Sequence, residues 1–482
     1  MIQPSTMIRP ILEEKSLKVA LFQFMFPFSL HADCQEEMKQ QLEKDGFIPF
    51  ALGNLELETA FYGEGYKVSH LNLERYYLPF TNSVIFPHKL TEDVFQRYSK
   101  RLEFDCELHM NGDAYTIRIH SLDVWLCPFD LGFINIRVEL PCEELNYSQA
   151  LEIVNRFRVL QNMKDENEQL RIVKDQKDYD EVEDFIFEML VPGILTFLDK
   201  SNLQDSYFEK LPYFEDERMY VLGMVSFTDG CEISPVDLYR GSRADGLDQQ
   251  GNPYTSSSNM DYIQRYVGAH TYDRWGPDTL YVMEETSFVC LTNQSAEITT
   301  AIGNHIYGAY YYGVLINLFN RIVLLKLSNR YSHVQLDQNQ DEIDDLIRSI
   351  TIFSARYYFL EVASQPQGKE IFLQLRNHMG IDGLFAEVKK TLADLYKYQE
   401  NFTAKRSNYL LMILTIYTVI SGIYGMNQVI EDLKGPIDWS KMKEYSVFEY
   451  IAMGVTFSGM TIALALGITT LRRLIKEIRK RR

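Results

Sequence analysis

The sequence predicts a mixed α/β (α+β) protein: a strand-rich part first, long helices after it, and two membrane-crossing helices at the end. Three observations predict this. Strand-like runs bounded by turn residues dominate up to about residue 295. The apolar spacing becomes helical after Thr299, and two late stretches carry no charge at all. At 482 residues the chain is too long for one compact domain. Its 46% hydrophobic and 24% charged residues are ordinary for a globular protein, so most of it is expected to be soluble and well packed.

The strands are read in order. Leu17–Leu30 is rich in aromatic and aliphatic residues. Cys106–His120 holds Asn111-Gly112-Asp113, a turn signal between two strand-like runs. Phe129–Leu140 is a further strand, and Pro141 with Glu143 and Glu144 opens a helix that runs through Leu160. Met219–Phe227 and Thr279–Leu291 each read as one strand. Lys164–Asp184 is densely charged and reads as a loop or solvated helix face, and Gly241–Asn259 as a flexible excursion.

The helices come next. Ile298–Asn320 is uncharged, but Asn304, His305, Asn317, Asn320 and four tyrosines would be costly in lipid, so it is read as the start of a buried helix running to about His333. A second helix spans Asp341–Ala363, and Pro366 interrupts the helical pattern beyond it. From Ile381 a stripe alternates steps of 4 and 3: Ile381, Phe385, Val388, Leu392, Leu395, Gln399 and Phe402. No Pro or Gly interrupts Leu384–Ser421, so a stalk helix of about 40 residues is expected to run straight into the first span.

Ser407–Ile430 and Tyr450–Leu471 lack charge, and each can cross a hydrocarbon core of ~30 Å at ~1.5 Å per residue. Lys405 and Arg406 precede the first span, and a basic tail from Arg472 to Arg482 follows the second. The positive-inside rule puts both termini in the cytosol of a multi-pass cell-membrane protein. The expected division is a sheet-rich cytosolic part at 1–298, cytosolic helices at 299–406, a pore-lining span at 407–427, an outer loop at 428–449, a second span at 450–471 and a cytosolic tail at 472–482.

Charge and motifs narrow the function. The net charge of −19 is uneven: residues 1–400 hold 36 basic and 61 acidic residues, whereas residues 401–482 hold 12 and 6. An acidic bulk argues against nucleic-acid binding, which needs a basic surface. Six scattered cysteines without CxxC spacing read as reduced thiols. No HExxH, GxSxG, Walker A or GxGxxG pattern is present, and the nine histidines lack metal-ligand spacing, so no enzyme and no required cofactor is expected.

The informative motif is Tyr424-Gly425-Met426-Asn427 at the outer end of the first span. A Gly-x-Asn at a helix end is a common cap. Coming after a long helix and a large acidic domain, at the first of two C-terminal spans, it resembles the Gly-Met-Asn signature of the CorA superfamily of magnesium and divalent metal transporters. The likeness is strongest over residues 381–482. It implies a homopentamer in the lipid membrane, with five first spans lining one pore. Gly425, Met426 and Asn427 would form the outer selectivity filter, with Tyr424 supporting it. Neutral amide oxygens can hydrogen-bond to the water shell that magnesium keeps.

Counting back from that motif, Thr418 and Asn401 match the family's polar ring positions. A seam of Asn401, Ala404, Asn408, Leu411, Thr415, Thr418 and Gly422 could line the pore, offset by one residue from the stalk stripe; sequence leaves open which face meets the axis, and whether Asn401 or Asn408 forms the cytosolic Asn ring.

Two departures stand out. The family's Met-Pro-Glu turn is replaced by a loop with Glu431 and Asp432, which either concentrate cations at the mouth or are solvated charges. Bulky gate positions hold Ala404, Ser407 and Thr415, leaving the gate at Leu411 alone or a leakier pore. The acidic cluster of Asp337, Asp341, Glu342, Asp344 and Asp345 is either a regulatory metal site between subunits or a solvated helix start. Magnesium is thus the expected cargo and a candidate regulatory ion. Zinc, cobalt or nickel transport on the same architecture is one alternative, and a non-conducting membrane sensor or scaffold is the other.

Overall fold

The aromatic run near the N-terminus forms β1 (Leu17–Ser29) in a computed structural model. The structure describes residues 8–87, 89, 91, 93–110, 112–161, 170–199, 218–333, 340–426, 436, 440–451, 453, 454, 457–461, 464, 465 and 468. Among them, β1 joins β2 (Ile48–Pro49), β3 (Gln96–Met110), β4 (Asp113–Cys127), β5 (Leu131–Glu139), β6 (Arg171–Lys174), β7 (Lys177–Tyr179), β8 (Tyr220–Phe227), β9 (Thr271–Trp275), β10 (Thr279–Met283) and β11 (Ser287–Thr292) in one 11-stranded sheet. Its order is β7-β6-β3-β4-β5-β1-β8-β11-β10-β9, with β2 on β3. The β8–β11 pair is parallel and joined through a long crossover; the other pairs are antiparallel.

The helices among the described residues include α1 (Gln35–Lys44), α2 (His70–Tyr76), α3 (Pro79–Ile85), α4 (Tyr147–Phe157), α5 (Val182–Asp184), α6 (Pro235–Arg243), α7 (Met260–His270), α8 (Ala296–Tyr307), α9 (Ala309–His333), α10 (Gln340–Arg356), α11 (Pro366–His378) and α12 (Ile381–Met426). The chain divides into two units. One holds residues 1–326 and 355–385, and with them the sheet; the other holds residues 327–354 and 386–482.

The two faces of the sheet differ because side chains alternate along a strand. On one face Phe22, Phe24, Phe26 and Phe28 join Leu122, Val124, Ile134 and Ile136 in an apolar core that takes in Met38 and Leu42 of α1 and Phe157 of α4. The other face carries Gln23, Arg97, Ser99, Asp123, Asn135 and Arg137, all buried. Arg97 and Arg137 reach the two oxygens of Asp123 at 3.1 and 2.6 Å. Ser99 Oγ and Tyr311 OH also donate to that carboxylate, at 2.7 and 2.9 Å. Arg97 donates to Tyr312 OH (2.8 Å) and Trp125 Nε1 to Tyr311 OH (2.6 Å), so the sheet's polar face is bonded to α9. Burial alone would push the Asp123 carboxyl up, but Arg137 and Arg97 overcome it and hold the group well below the usual carboxylate range.

Most expected strands and the buried helix after residue 298 are present, with five corrections. The helix expected from Pro141 begins at Tyr147, where the Asn146–Gln149 capping box fixes its start. Thr279–Leu291 is a hairpin rather than one strand, closed by Glu284 N–H on Ser287 O at 2.7 Å. The described part of the charged Lys164–Asp184 stretch contains the β6–β7 hairpin. Asp175 and Gln176 form its turn at φ 49° and 67°, a two-residue geometry usually marked by glycine. The helix expected across 299–333 breaks at Gly308, where a Cβ would lie 2.9 Å from Asn304 O. Finally, α10 stops at Arg356 short of Ala363, and Pro366 starts α11 as its first residue instead of interrupting a helix.

Candidate pore helix

Helix α12 runs unbroken for 46 residues, as the absence of proline allows. Its expected stripe is its inner face. Ile381, Val388 and Leu395 are fully buried, and Phe385, Leu392, Gln399 and Phe402 are half-buried. Phe385 stacks on Tyr358 with centroids 3.6 Å apart. Gln399 Nε2 donates to Asp344 Oδ1 at 2.7 Å.

Beyond residue 402 the half-buried positions are Tyr409, Met412, Ile416 and Val419. Tyr409 and Ile416 continue the stripe, whereas Arg406 and Ile413, also on it, are exposed, and Met412 and Val419 fall one residue before it. Val419 lies 3.4 Å from the place a Cβ on Gly459 would take, so the helical residues 457–461 approach this side. The seam one residue away is different. Asn401, Ala404, Asn408, Leu411, Thr415, Thr418 and Gly422 are all exposed in the single chain. Large apolar neighbours are exposed with them: Leu410, Ile413, Leu414 and Tyr417 range from 52% to 70%. A row of that kind is costly in water and marks a surface that another partner covers.

The seam's two threonines share a bonding pattern. Thr415 Oγ1 donates to Leu411 O at 2.7 Å, and Thr418 Oγ1 to Leu414 O at 2.8 Å. Each hydroxyl hydrogen is turned back into the helix, leaving the oxygen to act outward as an acceptor.

Gly425 and Met426 close α12 as backbone; Asn427, Glu431 and Asp432 lie outside the described residues, as do the side chains of Tyr424 and Met426. Among the described residues no helix is long and apolar enough to cross a membrane. The uncharged run from Ser407 extends to Ile430, past the last continuously described side chain, Val419, and Tyr450–Leu471 is described only in part.

The acidic residues near α10 are not drawn together within one chain. Asp341 and Glu342 lie in its first turn, Asp344 accepts from Gln399, and Asp345 pairs with Arg330 at 2.7 Å. Asp337 lies outside the described residues. Among the described residues no group of three or more His, Cys, Asp or Glu side chains is placed to hold a metal.

Sequence reasoning missed two features of the sheet-bearing unit. One is the buried centre on Asp123, whose signal was polar residues two apart inside apolar strands: Arg97 with Ser99, Ser121 with Asp123, and Asn135 with Arg137. The other is a cleft of about 1230 Å³ whose walls include Glu14, Asp113, Glu152, Asp245 and Asp248. Apart from Asp245 and Asp248 its carboxylates are far apart in sequence, and nothing local announces their meeting. No family model, curated protein or solved structure matches the chain.

Proposed function

We propose that the chain conducts divalent metal cations, magnesium foremost, across a cell membrane through a pore built from copies of α12. The observation that carries this reading is one unbroken helix with a buried stripe in its first half and an exposed, partly polar seam in its second, ending at Gly425-Met426 just before Asn427. The resemblance of that ending to the CorA signature supports a homopentamer with an outer ring of Asn427 amides.

The chemistry suits a hydrated ion. Magnesium gives up its water reluctantly, and a water shell donates hydrogen bonds outward. The outward-facing threonine oxygens and amide oxygens accept such bonds without stripping the shell. Neutral ligands hold the ion weakly enough to release it. Inward flux is driven by the membrane potential, worth about 4.6 kcal/mol per 100 mV for a double charge.

The test is magnesium entry into liposomes that hold an indicator dye, with Asn427→Ala beside the wild type. Flux is expected in the wild type and not in a correctly assembled mutant. Equal flux in both sinks the filter. A folded wild-type oligomer that passes neither magnesium, zinc, cobalt nor nickel replaces the pore with a sensor or scaffold; flux of the latter ions alone changes the cargo.

A further inference from the structure

His120 is the odd residue of β4. The β4–β5 register jumps from Ile119↔Val138 to Ser121↔Arg137, and the β3–β4 register jumps from Arg101↔Ser121 to Phe104↔Ile119. His120 therefore has no cross-strand partner on either side. Opposite it, Glu103 takes φ 48°, a left-handed backbone unfavourable for a residue with a side chain.

This irregularity sets two carboxylates on the two nitrogens of one imidazole. Nδ1 lies 3.0 Å from Glu103 Oε2, and Nε2 lies 2.8 Å from Glu139 Oε2. The imidazole is 2% exposed, whereas Glu103 and Glu139 are 30% and 35% exposed. Gly63, at φ 82°, lies so close to the ring that a Cβ there would sit 2.7 Å from its Cε1.

The loop that carries Gly63 is tied down at both ends. Ser121 Oγ donates to Phe61 O at 2.7 Å. Lys67 N donates to Asn304 Oδ1 of α8 at 2.8 Å, and a Cβ on Gly303 would lie 2.4 Å from the Tyr66 ring. Residues 61–67 thus bridge the β4 irregularity and α8.

Two carboxylates on two ring nitrogens require two N–H donors, which only the imidazolium has. The neutral ring keeps one N–H and turns a lone pair on the other carboxylate. We propose that His120 is a proton-operated clamp: while charged it holds the β3–β4 irregularity and the loop 61–67 in place, and it releases them when its proton is lost.

The charged and titratable groups around it are Arg101, Glu103 and Asp105 on β3, Arg118 on β4, Arg137 and Glu139 on β5, Tyr66 in the loop and Tyr307 on α8. Burial pushes both phenols up, Tyr66 to about 12, so they stay protonated near neutrality. The Arg118 side chain holds Asp105 below the usual carboxylate range, so it stays ionised. For His120 burial acts downward, but Glu139 and Glu103 outweigh it and raise its pKa above the ordinary value. The clamp's stabilisation is therefore complete below the unfolded imidazole value of about 6.5 and is lost as pH rises through the folded pKa.

Hydrogen exchange of the full-length chain in detergent, measured over a pH series and corrected for intrinsic exchange, tests this. Peptides covering residues 59–67 and 100–105 are expected to lose protection by up to about tenfold per pH unit above the His120 midpoint. His120→Gln is expected to show no such dependence. Glu139→Gln removes one carboxylate from a partly exposed position, so it keeps the fold and moves the midpoint to lower pH. Protection that is flat with pH in the wild type overturns the clamp. So does an unchanged profile in Glu139→Gln, or in a folded His120→Gln.

Discussion

Asp123 sits between two guanidinium groups and two hydroxyl donors with no exposure to water. Removing one member of a buried ionic centre leaves the others charged and unpaired, which costs about 3–5 kcal/mol. Asp123→Ala is expected to lose that much in denaturant unfolding, whereas Asp105→Ala, a half-exposed partner of Arg118, should change little. The histidines add pH dependence of opposite sign to the clamp. Burial and the stacked ring of His270 hold His378 at about 4. The unfolded chain takes up that proton first, so stability falls as pH drops from about 6.5 towards 4. His378→Gln is expected to flatten the decline over that interval in a pH series of unfolding midpoints. None of these roles was legible from single residues. A polar strand residue reads as outward-facing, and only the covering of that face by α9 turns it inward.

Elements were legible where local chemistry decides them. The absence of proline and the 4-and-3 stripe of α12 foretold a long helix, and its buried face is the foretold one. Boundaries were less legible, because proline and acidic residues mark several candidate starts while one cap wins. At α4 the winner is Asn146, whose side chain accepts from Gln149 N at 2.9 Å. Asn146→Ala is expected to cost about 1 kcal/mol and Asn146→Ser much less, by the same unfolding assay. The turn at Asp175–Gln176 was hidden because its two left-handed residues are not glycines. On the exposed seam, Thr418→Val should lower metal flux in liposomes while assembly persists, and Thr418→Ser should restore it. Equal flux in all three would remove the hydroxyl from the proposed pore.

At the scale of the whole molecule, the order of parts was readable and the arrangement of the sheet was not. Composition and periodicity separate a strand-rich acidic part from helices that end in apolar runs. The pairing of β8 with β11, whose partners such as Val221 and Ser287 lie 66 positions apart in the chain, comes from long-range fit that no window of sequence contains. The exposed apolar row on α12 carries a consequence for assembly: in mild detergent the full chain is expected to sediment as an oligomer, and a stable monomer would leave the seam without a counterpart. The inward turn of the threonine hydrogens reaches further. A chloride ion needs donors, and along the turns of Thr415 and Thr418 these hydroxyls have none to offer. A pore lined this way would reject anions over that stretch without bearing a single formal charge, leaving nothing for salt to screen.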